Sequence, residues 1–225
     1  MKPVIVMTQT SEFETEDMTI LHKPLIYVEP LSFDLSLLDV NYDWFIFTSK
    51  NAVKLFYPRM SQMQDTKIAV IGKKTAHYCE SLGLKVDFIP SDYSQEGFLK
   101  QFNPQVSSRI LIPSSKKARP LLQQSLQQQG HTVRKIDLYQ PLPHTENINE
   151  VKRLIETDKI NAITFASTSA VKYFFESGEV PAFNNYFVIG QQTFEALKQF
   201  GIQATMADKQ TLESLINIIR ESWEK

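Results

Sequence analysis

Apolar residues recur along the chain in short bursts separated by polar turns. Ten bursts carry the β-branched and aromatic composition of strands: residues 4–8, 25–28, 44–48, 68–71, 86–89, 110–112, 133–139, 160–165, 186–189 and 202–206. The spacing between most of them changes to helical. Ala52, Val53 and Phe56 stand three, four and seven positions after Ser49, and Thr193, Ala196, Leu197 and Phe200 repeat that spacing. The leucines of the Gln-rich "LLQQSLQQQG" keep helical spacing too, so a helix is expected over 116–129, stopped at Gly130. Strands alternating with helices of about ten residues predict α/β architecture, with parallel sheets covered by helices on both faces.

Two stretches interrupt the rhythm, "VEPLSFDLS" and "YQPLPHTE". Proline cannot continue a central strand, so Pro30, Pro141 and Pro143 mark both stretches as linkers. If both are crossings, the first lobe is discontinuous. The expected division is residues 1–32 with 145–225 as one lobe and 37–138 as the other, joined through 33–36 and 139–144.

The strand-to-helix junction "FIFTSKNAVKLF" has a near-copy in "AITFASTSAVKYF". A shift of 118 residues brings Phe47, Ser49, Ala52, Val53, Lys54 and Phe56 onto Phe165, Ser167, Ala170, Val171, Lys172 and Phe174. The same shift brings Val70, Ile71, Gly72, Thr75 and Gly83 onto Val188, Ile189, Gly190, Thr193 and Gly201, giving eleven identities over 26 positions. Unrelated segments of ordinary composition match at roughly two. Convergent turns do not preserve the distance between blocks, so the pattern is that of a duplication.

In a parallel sheet, the turn after each strand lies at the carboxyl edge, where ligands bind. The following helix points free N–H groups and its positive dipole end there. One lobe supplies Ser49, Lys50 and Asn51, then Gly72, Lys73, Lys74 and Thr75. The other supplies Ser167, Thr168 and Ser169, then Gly190, Gln191, Gln192 and Thr193. Taken singly, each hydroxyl reads as an N-cap. Four junctions in duplicate favour a shared ligand, and two edges of N–H and hydroxyl donors suit a polyanion.

Composition narrows the classes. The chain has 225 residues and 42% hydrophobic content, with 24 basic against 25 acidic side chains. That balance lacks the basic excess of a nucleic-acid binder. Seven glycines, with no GxGxxG and no GxxxxGK[ST], weigh against a nucleotide enzyme. The lone Cys79 permits no internal disulfide and fits a reducing compartment. The apolar start turns polar by Thr8, too early for a signal peptide or membrane span. A cytoplasmic monomer without membrane or nucleic-acid partners is expected. His22, His77, His131 and His144 lack metal-ligand spacing, and no GxSxG elbow occurs. Cys79 reads as a buried, inert thiol, and the acidic "SEFETED" as a solvated loop. "SSKKARP" reads as a solvated basic patch or a carboxylate clamp. Tyr139 ends a strand at a proposed crossing, where it either faces a ligand or packs.

The motifs "FTSKNAV", "AVIGKKTAHYCESLG", "HTVRKIDLYQ", "ITFASTSAV" and "FVIGQQTFEALKQFGIQATMADKQTLESL", in that order, resemble the uroporphyrinogen-III synthase family. The resemblance implies two flavodoxin-like lobes joined by a two-stranded linker, with the active site in the cleft. It also implies a linear tetrapyrrole substrate, hydroxymethylbilane, cyclised with loss of water and inversion of ring D, with no cofactor or metal. Tyr139 matches the family's linker tyrosine, which implies a general acid. A helix is usual in the family between the first two strands; "TSEFETEDMTILHK" departs from that. The rival expectation is a two-lobed small-molecule binding protein without chemistry.

Overall fold

The computed structural model describes residues 2–11, 13, 15–62 and 65–223, with no side-chain description at 61 and 62. Along the chain run β1 (Val4–Met7), β2 (Thr19–His22), β3 (Ile26–Pro30), β4 (Trp44–Phe47), α1 (Lys50–Phe56), β5 (Lys67–Val70), α2 (Lys73–Ser81), α3 (Gln95–Gln101) and β6 (Arg109–Ser115). Then follow α4 (Leu121–Gln128), β7 (Thr132–Pro143), α5 (Thr145–Glu156), β8 (Ala162–Phe165), α6 (Thr168–Glu176), β9 (Tyr186–Val188), α7 (Gln191–Lys198), β10 (Thr205–Met206) and α8 (Leu212–Trp223). The chain divides into two compact units, Met1–Tyr27 with Pro141–Lys225, and Val28–Gln140.

The first unit holds a sheet of order β10-β9-β8-β1-β2 with parallel pairings. Counted within the unit, that is the 2-1-3-4-5 order of flavodoxin-like folds. Residues of β1 alternate between two cores, as a strand's period of two requires. Val6 joins Ile163, Phe165, Val171 and Phe174 on one face. Ile5 and Met7 join Phe187 and the apolar stripe Leu215, Ile216 and Ile219 of α8 on the other.

The second unit has the order β3-β7-β6-β4-β5. Read from the other edge, β5-β4-β6-β7 is again 2-1-3-4, with β3 in the fifth place. Phe45, Phe47 and Val70 pack with α1 and α2 on one face. Ile46, Ile110 and Ile112 pack with Phe98 of α3 and Leu122 and Leu126 of α4 on the other. Gly97 is required by space: a Cβ there would lie 2.5 Å from the Asp92 backbone oxygen. Gly97→Ala is expected to cost about 1–3 kcal/mol, read as a lowered urea midpoint.

Several elements depart from the sequence reading. Strand β2 lies where none was expected. Its four residues sit at a sheet edge, too short to show alternation, and the described residues between β1 and β2 form no helix. The expected strand over 86–89 reduces to one bridge, Ala69 with Phe88, and that over 202–206 to two residues. The helix expected from 116 begins at Leu121, because 116–120 form a turn, with Ala118 N–H donating to the Ser115 carbonyl and Pro120 as the N-cap. The prolines do not end their strands: β3 includes Pro30, and β7 runs through Pro141 and Pro143. β3 is an edge strand, and the last β7 residue registered with β6 is Tyr139, so none of the three prolines removes a donor from the β6–β7 ladder. Among the described residues, no helix is long and apolar enough to cross a membrane.

Candidate active site

The duplicated junctions have duplicated geometry. Ser49 is the extended N-cap of α1, and its Oγ accepts from Ala52 N–H at 3.2 Å. Ser167 does the same for α6, accepting from Ala170 N–H at 3.1 Å. Gly72 and Gly190 cap α2 and α7, and in each the N–H three residues on, of Thr75 or Thr193, donates back to the glycine carbonyl. Both helices end at a glycine with positive φ, Gly83 at 76° and Gly201 at 72°, the left-handed stop that favours glycine.

The expected site residues differ in how they are disposed. Lys50, Lys73, Lys74, Gln191 and Gln192 are exposed; Asn51, Thr168 and Ser169 are half-buried; Thr75 and Thr193 are buried. The Gln191 amide donates to Glu195 within α7 at 2.7 Å. Gly190 is extended, and a Cβ on it would come within 2.9 Å of the Gln210 side chain. Gly72 has ordinary room, since a Cβ on it would meet Tyr93 only at 3.8 Å. Lys50 sits over the Tyr78 ring at 4.8 Å and Lys73 over Tyr93 at 5.7 Å, within cation–π range. Tyr78, Tyr93 and Gln210 had no signal in the sequence, because their contacts arise only when separate elements meet: Tyr78 of α2 with Lys50 of α1, Tyr93 with the start of α2, and Gln210 with Gly190.

Tyr139 and Ser49 come together across 90 residues of sequence: the Tyr139 hydroxyl lies 2.8 Å from Ser49 Oγ. The tyrosine ring joins the core formed by Phe45, Phe47 and Ile136 and is 7% exposed. Burial pushes the Tyr139 phenol above the ordinary tyrosine value, with the Ser49 hydrogen bond acting the other way. Packing and a specific polar contact therefore coexist in this residue. Ser49→Ala removes both the cap and this contact, and is expected to cost about 1 kcal/mol of stability, measured by chemical denaturation.

The remaining candidates are structurally engaged. Arg119 makes a two-point ion pair with Glu96 at 2.7 and 3.2 Å. Asp17 of the acidic loop pairs with Arg220 at 2.6 Å; Glu12 and Glu14 lie outside the described residues. Among the described residues, no group of three His, Cys, Asp or Glu could hold a metal. Cys79 is fully buried, and burial, then Glu80, pushes its thiol up to about 11. Ellman's reagent should leave Cys79 unmodified in the folded protein and titrate it once the chain is unfolded.

These features define a class: an α/β protein of two doubly wound units whose capped, polar turns gather at strand carboxyl ends, the position where such folds take small ligands. The family model for uroporphyrinogen-III synthase HemD matches residues 9–217. A Methanocaldococcus jannaschii member of the family is 30% identical over 204 residues, 84% of each chain. The uroporphyrinogen-III synthase of Synechococcus elongatus is 29% identical over 142 residues, 60% of this chain and 54% of its own length. The crystal structure of uroporphyrinogen-III synthetase from Helicobacter pylori superposes with a TM-score of 0.69, at 20% identity, covering 99% of this chain and all of that one. The chain belongs to the uroporphyrinogen-III synthase family.

Proposed function

We propose that this chain is a uroporphyrinogen-III synthase, a cyclising lyase of haem biosynthesis acting on hydroxymethylbilane. The observation that carries the reading is the family match over 9–217. The substrate loses its hydroxyl as water, and the substituted α-position of ring D attacks the azafulvene so formed to give the spiro-pyrrolenine. The bond from that position to the ring C methylene breaks, and the free α-position of ring D then attacks that methylene and loses its proton, closing the macrocycle with ring D inverted. The route runs through an azafulvene and a spiro-pyrrolenine, and no electrons enter or leave.

The substrate ionises readily, so the demanding task is orientation of a flexible chain. In this reading its carboxylates are taken by donors at the carboxyl edges: Ser167, Thr168, Ser169, Gly190, Gln191, Gln192 and Thr193 in one unit, and Ser49, Lys50, Asn51, Gly72, Lys73 and Thr75 in the other. Each unit works as one lobe of a cytoplasmic monomer. Tyr139 is the general acid: its phenol proton goes to the departing hydroxyl, and the proton released as the last pyrrole regains aromaticity restores it. The 2.8 Å contact between Tyr139 and Ser49 supports this, since it fixes the hydroxyl in place. Among the binding groups, Thr193→Ala should lower kcat/KM less than Tyr139→Phe, since backbone N–H groups at the start of α7 still bind a carboxylate.

Multiple turnover separates this reading from a binding protein. Hydroxymethylbilane in molar excess should disappear faster than its spontaneous closure. Protection of only one equivalent, with no acceleration, would favour the binding protein.

A further inference from the structure

The duplication supplies an internal control for charge. A shift of 118 residues sets Lys50, Lys73 and Lys74 against Thr168, Gln191 and Gln192. Equivalent turns therefore carry ammonium groups in the second unit and neutral side chains in the first. A further turn extends the contrast. β6 lies beside β4 as β1 lies beside β8; the chain leaves β6 through Lys116 and Lys117, and leaves β1 through Thr8, Gln9 and Thr10. Strand β4 lies between β5 and β6 and is parallel to both, so the lysine-bearing turns stand side by side at one carboxyl edge. Lys116 N–H donates to the Tyr139 carbonyl there at 2.8 Å.

Nothing local accounts for these cations. Lys50, Lys73, Lys74 and Lys116 are exposed, and among the described residues none of them makes an ion pair. The nearby acids are engaged elsewhere: Glu96 with Arg119, Asp137 with Lys135, and Asp92 as acceptor from Ser94 Oγ. Lys50 opens α1, and Lys73 and Lys74 open α2. A cation in the first turn opposes the helix dipole, and neither first turn holds an acid to offset it. Two of the side chains are set in place all the same, Lys50 over the Tyr78 ring and Lys73 over the Tyr93 ring. Lysines at the first unit's edge have acidic neighbours instead: Lys23 pairs with Glu150 at 2.7 Å, and Lys209 follows Asp208 in the chain. Unopposed like charges gathered at a ligand edge suit a multiply charged anion.

We propose that Lys50, Lys73, Lys74 and Lys116 form the ionic capture edge for a polycarboxylate. They draw in the linear tetrapyrrole and take its carboxylates by charge, whereas the first unit's edge binds through neutral hydrogen bonds. The tetrapyrrole as ligand rests on the synthase reading; capture of a polycarboxylate by this edge does not.

Tricarballylate, a flexible tricarboxylate, is the probe. In ¹⁵N-labelled protein it should shift the backbone amide signals of Lys50, Lys73, Lys74 and Lys116 saturably, and those of Thr168, Gln191 and Gln192 little. About 1 M KCl, where the screening length is about 3 Å, should reverse the shifts. In the variant Lys50→Thr with Lys73→Gln and Lys74→Gln, each lysine takes the residue of its own duplicate. Its KM for hydroxymethylbilane should rise about tenfold at low salt, for three lost exposed ion contacts, and the difference should close at about 1 M KCl. The charge control is Lys100→Gln with Lys159→Gln and Lys198→Gln, at exposed positions in the last turns of α3 and α7 and ahead of β8; it should leave KM nearly unchanged. The melting temperature of the free edge variant should hold or rise, because cations leave the starts of two helices; lysines with a structural role would lower it and leave KM alone. Amide signals that move equally at both edges or at neither, or a KM that the edge variant and the charge control change alike, overturn the capture edge. If the lysine signals move with tricarballylate but hydroxymethylbilane is not turned over, the capture edge stands and the synthase reading falls.

Discussion

Tyr139→Phe should lower kcat about a hundredfold while product affinity changes little, because a general acid acts mainly in the transition state and contributes about that much. The substitution keeps the ring in its core of Phe45, Phe47 and Ile136 and removes only the hydroxyl beside Ser49. Folding should therefore survive, and the loss should lie in turnover. The pH profile gives a second check. Burial raises the Tyr139 phenol above the ordinary tyrosine value of 10.0, so it keeps its proton through neutral and mildly alkaline pH. An alkaline fall in kcat due to Tyr139 should have its midpoint above that of an ordinary tyrosine. An unchanged kcat in the phenylalanine variant would remove Tyr139 from the chemistry and leave it as packing.

The largest stability effect is expected from Phe56→Ala. Phe56 is fully buried, edge-on to Phe45 at 5.3 Å and tilted to Phe47 at 5.9 Å. Truncating such a phenylalanine removes transfer energy and leaves a cavity, about 3–5 kcal/mol in all. Its counterpart Phe174, buried against Phe165 at 5.8 Å and Phe175 at 5.2 Å, should lose a similar amount on truncation. Denaturant titration of both variants reads the pair; a loss below about 1 kcal/mol in either would mean that junction is not part of its core.

The reach of the sequence follows from which physical signals are local. The serine caps at 49 and 167 and the glycine stops at 83 and 201 are local: each depends on residues within one helical turn, and all four stand in the duplicated pattern. Strand β2 escapes because four edge residues next to an acidic stretch carry too little pattern, and residues 86–89 mislead because an apolar run can lie beside a sheet without joining it. Pro141 and Pro143 mislead for a related reason: their cost depends on whether a neighbour needs the missing N–H, which only the register of β7 on β6 reveals. The Tyr139–Ser49 contact joins residues far apart in the chain, so sequence nominates Tyr139 by its place but gives it no partner.

The most direct test of the account is the isomer formed from hydroxymethylbilane. With purified protein and no added metal or cofactor, the cyclised product, oxidised to porphyrin and separated by chromatography, should be the type III isomer, with ring D inverted. Type I product alone, formed at the spontaneous rate, would contradict the account.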